Sequence, residues 1–148
     1  MKLLLLFMAS VLLTGCDMGM DGDQEARDAA EAWADAYFNC DFKDASEYVT
    51  KESLKWLQYA ASNTTEQDLK LLQDAGGAEI TVSEEFDVAN DTLRVVTFSV
   101  TNVLTPAVQR QASALAKNAT FKVTVVKREN GWQVRMAGLP QNGMQSRD

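Results

Sequence analysis

At Gly76-Gly77 the hydrophobic repeat of this chain changes period, and that change limits what the chain can fold into. Before it, apolar residues recur every three or four positions, as one face of a helix requires. Ala26, Ala30, Trp33 and Tyr37 form such a face, behind an N-cap residue at Asp23 with Glu25 and Asp28 in or near the first turn. Asp41 can cap a short second helix carrying Phe42, Ala45 and Val49, and Thr50 a third carrying Leu54, Leu57 and Ala61. Thr64 or Thr65 can cap a fourth with Leu69, Leu72 and Ala75, which the two glycines then stop. After Gly77 the period drops to two. Ile80, Val82, Phe86 and Val88 predict a strand with a bulge at Glu84-Glu85, and Leu93 to Leu104 a second strand. Residues 106–118 read either as a helical turn or two through Val108, Ala112 and Leu115, or as a loop between strands. Asn130-Gly131 is a type I′ hairpin signal, predicted to pair Glu129 with Trp132. Phe121, Val123, Val125, Trp132, Val134 and Met136 would share its apolar face. Helices followed by an antiparallel sheet predict an α+β domain.

The N-terminus carries a different message. Lys2, the apolar run Leu3 to Leu13 and small residues before Cys16 have the layout of a secretory signal, too short for a membrane span. The ending Leu13-Thr14-Gly15-Cys16 resembles the lipobox of bacterial lipoproteins. That resemblance implies a diacylglycerol on the Cys16 thiol, cleavage before Cys16, and a lipid-anchored protein of a Gram-negative envelope, on the inner or the outer membrane. The expected organisation is a signal peptide over 1–15, the lipidated Cys and a flexible tether over 16–23, one domain over 24–138, and a disordered tail over 139–148.

Removal of the signal leaves one domain's worth of chain, with 21 acidic residues intact. Charge is unevenly spread: positions 17 to 91 hold 19 acids and 5 bases, and positions 92 to 148 hold 2 acids and 8 bases. So acidic a chain is a poor partner for nucleic acid. With Cys16 lipidated, Cys40 has no disulfide partner within the chain and reads either as a buried small hydrophobe or as a thiol available for an intermolecular bond. The chain has no histidine, which removes the commonest general base and metal ligand. No nucleophile triad, CxxC pair or phosphate-binding glycine loop occurs, so no catalytic residue, metal or cofactor is expected.

The segment AEAWADAYFNCDFKDASEYVTKES resembles the opening helix, elbow and second helix of the nuclear-transport-factor-2-like (NTF2-like, SnoaL-like) superfamily, and KRENGWQVRM its closing hairpin. The resemblance implies N-terminal helices packed in the concavity of a curved antiparallel sheet, a cone that often holds a pocket. Candidate pocket-lining residues are Trp33, Tyr37, Tyr48, Trp56 and Phe121, weighed against plain core packing. Asp35 is off the apolar helix face and reads as a solvated acid. Lys122, Arg128 and Arg135, together with Arg94, are candidates for a basic outer sheet face meeting an acidic partner. The expected function is a non-catalytic, membrane-tethered protein binding a small apolar ligand, a protein partner or another copy of itself. The alternatives are a small-molecule hydrolase, isomerase or dehydratase, or a structural assembly subunit.

Overall fold

The structure is a computed structural model, and it describes residues 20–105 and 113–143. The signal sequence, Cys16 and residues 17–19 of the expected tether lie outside the described residues, and residues 20–23, expected as flexible tether, instead open the first helix. Helix α1 (Met20–Phe38) starts three residues earlier than its expected cap at Asp23. It is followed by α2 (Phe42–Ala45), 3-10 turns at Ser46–Tyr48 and Lys51–Ser53, α3 (Leu54–Asn63) and α4 (Glu66–Asp74). Strands β1 (Glu79–Asn90), β2 (Leu93–Thr105), β3 (Ala114–Arg128) and β4 (Gly131–Arg135) form one antiparallel sheet in sequence order. The protein is α+β, its helices packed against a curved sheet.

Local chemistry explains the helix boundaries. The Asp41 carboxylate accepts from the Asp44 N–H at 3.1 Å, capping α2. Thr65 and Asp68 form a full capping box on α4, each side chain accepting the other's backbone N–H. At the far end, Gly76 and Gly77 turn the chain with positive φ, and Gly77 N–H bonds back to the Leu72 carbonyl at 3.0 Å. Thr50 behaves otherwise than expected. Its hydroxyl makes no cap bond and instead meets the Ser53 hydroxyl at 2.7 Å, both side chains fully buried. Ser53 in turn accepts from the Met136 N–H, and Thr50 N–H donates to the Val134 carbonyl. The link between α2 and α3 therefore closes the outer edge of β4.

Helix α1 is the core's spine. Ala26, Ala30 and Trp33 are wholly buried against an inner sheet face that includes Val96, Phe98, Phe121, Val125 and Val134. Small alanines and large aromatic rings share this buried face of the helix. Trp33 stacks on Tyr37 at 5.0 Å, and Phe38 meets Phe121 at 4.7 Å between centroids.

Several sequence expectations are corrected. The terminal hairpin pairs Arg128 with Gly131 and Lys127 with Trp132, so Glu129 and Asn130 form the loop. A type I′ turn needs positive φ at both Asn130 and Gly131, and only Gly131 has it. The register moves by two, an even step, so Phe121, Val123, Val125, Trp132, Val134 and Met136 all remain buried as expected. Residues 114–118 are neither helix nor loop: they extend β3, with Leu115 opposite Leu104. Residues 106–112 lie outside the described residues. The tail is not frayed through Gly143, because Thr120 donates to the Asn142 side chain and accepts from the Gly143 N–H at 2.7 Å. In α4 the buried pair is Asp68 and Leu72, while Leu69 points to solvent.

Candidate functional site

The last turn of α1 must hand the chain to α2 in the opposite direction, and this reversal builds one wall of a cavity. Cys40 takes the left-handed conformation, φ 61°, that ends a helix. The Asp41 N–H reaches the Ala36 carbonyl at 2.9 Å and the Cys40 N–H the Tyr37 carbonyl at 3.0 Å, a Schellman pair usually built on glycine. The turn points Tyr37, Phe38, Cys40 and Phe42 toward the same space. Asn39 fixes the elbow from outside. Its amide donates to the Ala78 carbonyl at 3.1 Å and accepts from the Ala78 N–H at 2.8 Å, tying α1 to the entry of β1. Asn102, itself at φ 61°, grips the same turn through the Ala75 and Gly77 carbonyls.

The cavity behind this elbow has a volume of about 210 Å³. Phe121, Val103 and Leu104 of the sheet close one side, and Leu139 and Pro140 of the ordered tail another. Ala60, Asn63 and Thr64 come from the end of α3, and Asp68 from α4. The lining is mainly apolar, and Asp68 is its only charged side chain among the described residues. Burial pushes the Asp68 carboxyl upward, but hydrogen bonds from Ser113 and from Thr65 outweigh it and hold the group below its ordinary value. Burial, and then the Asp68 charge, push the Cys40 thiol up. Burial also drives the Tyr37 phenol well above its usual range, with Cys40 adding to the effect. At neutral pH the cavity therefore presents a carboxylate, an intact thiol and an intact phenol.

Of the five aromatic candidates, Tyr37 and Phe121 line this cavity. Trp33 stands behind Tyr37 with no exposed surface, and Tyr48 and Trp56 pack against the core without joining the cavity's lining. Phe38, Phe42, Cys40 and Asp68 line it without having been expected there. The Thr65-x-x-Asp68 capping-box spacing was the one available pointer to a buried Asp68. Asp35 is exposed, beside Asp28 and Glu31 on the outer side of α1.

The proposed basic face loses one member. Arg94 pairs with Val125 and lies on the inner side of the sheet, where its guanidinium meets Asp23 at 2.9 Å and sits 5.2 Å over the Trp132 ring. Lys122 and Arg128 are exposed on the outer side, and Arg135 is half-buried opposite Thr124. The outer face is not simply wet either: Val95, Thr124 and Val126 on it are buried. Among the described residues no group of three His, Cys, Asp or Glu side chains is arranged to hold a metal ion.

No protein-family model matches the sequence, and no curated protein matches it. In shape the chain is similar to a proposed dehydratase of the NTF2-like family from Streptomyces avermitilis, 12% identical, over 78% of this chain and 92% of that one, with a TM-score of 0.49. It is also similar to a proposed aromatic ring hydroxylase from Novosphingobium aromaticivorans (10% identity, 83% and 94% covered, TM-score 0.49). An NTF2-like protein of unknown function from Shewanella oneidensis has 11% identity, 76% and 93% coverage and a TM-score of 0.46. At such identities the likeness concerns backbone shape and carries no chemistry.

Proposed function

We propose that this is a lipid-anchored envelope protein with an NTF2-like domain that binds a small, largely apolar molecule without transforming it. The observation that carries the reading is the 210 Å³ cavity framed by Tyr37, Phe38, Phe42 and Phe121. Its volume equals about seven waters, room for a ligand of about one ring. Binding rather than turnover is supported by the state of its polar groups. A carboxylate held below its ordinary value is a weak general base, and a thiol and a phenol held above theirs are weak nucleophiles and acids. Anchoring rests on the Leu13-Thr14-Gly15-Cys16 ending. Among the described residues no helix is long and apolar enough to cross a membrane.

Native mass spectrometry of the protein, released from membranes without detergent, tests the binding reading. A retained small-molecule mass, lost when Phe121→Trp fills the cavity, is the expected result. Empty protein that also fails to take up any single-ring compound refutes it. For the anchor, Cys16→Ala should leave the membrane fraction; a variant that stays membrane-bound after export defeats lipidation.

A further inference from the structure

We infer that the cavity selects small organic cations, an amine or quaternary ammonium on a short apolar body, with the charged group against Asp68 and the body among Tyr37, Phe42 and Phe121. This rests on the ligand-binding reading above and specifies the ligand's chemistry. Asp68 is only 5% exposed, yet it lines an otherwise uncharged cavity. Among the described residues, Asp68 belongs to neither the Lys70–Asp74 nor the Arg94–Asp23 ion pair. Its hydrogen bonds come from Ser113 and Thr65, neutral donors that keep it ionised without cancelling its charge. A carboxylate has about four lone-pair sites, so acceptor capacity remains for an incoming donor.

The surroundings favour the same ligand. Tyr37 and Phe42 meet edge to face at 5.7 Å, and Phe38 and Phe121 lean together at 4.7 Å. Ring faces attract cations, and more strongly where water is excluded. A neutral apolar ligand would have to bury the carboxylate without compensating it, and an anion would be repelled by it. The wider field acts in the same direction. The chain's net charge is −7, and the exposed side of α1 carries Asp28, Glu31 and Asp35. Such a field draws cations inward and slows anions.

The test is calorimetry on the full chain in zwitterionic lipid nanodiscs, with empty nanodiscs subtracted. The probes are phenethylamine, 2-phenylethanol and phenylacetate, which share a ring and differ in charge. The amine should bind at least about tenfold tighter than the alcohol, with phenylacetate weakest. Asp68→Asn keeps an acceptor for the Thr65 N–H, so α4 stays capped; it should erase the amine's advantage over the alcohol. If the alcohol binds as well as the amine, cation selection is wrong and apolar binding stands. If no probe binds, both readings fall. An amine preference that survives in Asp68→Asn removes Asp68 as its source and overturns the inference. The ranking on unaltered protein decides the matter even if that variant does not fold.

Discussion

Replacing Asn39 with Ala should loosen the elbow that shapes the cavity, and the cost can be worked from its bonds. The side chain exchanges two hydrogen bonds with the Ala78 backbone, at 2.8 and 3.1 Å, and donates a third to the Asp35 carbonyl at 2.8 Å. The Asp35 bond is of small consequence, because that carbonyl already accepts the Asn39 N–H. The Ala78 pair matters more, since Ala78 is buried and its N–H would lose its partner. Two bonds at about 1 kcal/mol each, plus part of an unsatisfied donor's penalty, give about 2–3 kcal/mol. For a domain of this size that is a fall in Tm of roughly 8–12 °C. Circular dichroism melts should show it. Urea unfolding should show a lower midpoint at unchanged slope, and hydrogen exchange should be faster at the Ala78 amide than at β3 amides. A melt within about 2 °C of the parent, with Ala78 still protected, would refute the reasoning.

Two further outcomes follow from the same region. Because the Asp68 carboxyl is held below its ordinary value, its stabilising contribution is complete above the ordinary carboxylate value, near 4, and is lost as pH falls through its lowered one. Urea midpoints should therefore drop below about pH 4 in the parent, and less so in Asp68→Asn. At Cys40, with φ 61°, a β-branched side chain fits badly and glycine fits freely. Thermal melts should find Cys40→Val destabilised by about 2 kcal/mol and Cys40→Gly within about 1 kcal/mol of the parent.

The architecture was legible wherever information is local. The switch of period at Gly76-Gly77, the caps at Asp41 and Thr65 and the buried face of α1 all depend on neighbours a few positions apart. The bulge expected at Glu84-Glu85 falls within the register shift between Val82 and Phe86. What stayed hidden depends on partners far along the chain. Leu115 is a strand residue because Leu104 lies opposite it, and Leu139 and Pro140 are ordered where the tail meets β3. The fourth helix shows the limit most plainly. Its apolar period favoured Leu69, but the capping box and the cavity turn Asp68 inward instead. Arg94 read as a surface charge because nothing nearby in sequence announces that Asp23, 71 positions earlier, will meet it.

Helix α1 also sets a distance. Its first residue, Met20, is four positions from Cys16, a reach of at most about 14 Å of chain. Its 19 residues then run about 28 Å before Tyr37 and Phe38 enter the cavity wall. If Cys16 carries lipid as proposed, the attachment point would lie within that reach of the N-terminal end of α1, whose C-terminal end helps line the cavity. The two lengths together would keep the cavity within roughly 40 Å of such a membrane surface. Under the proposed function, an anchor there would concentrate the protein at a surface while its cavity met solutes in the adjoining compartment.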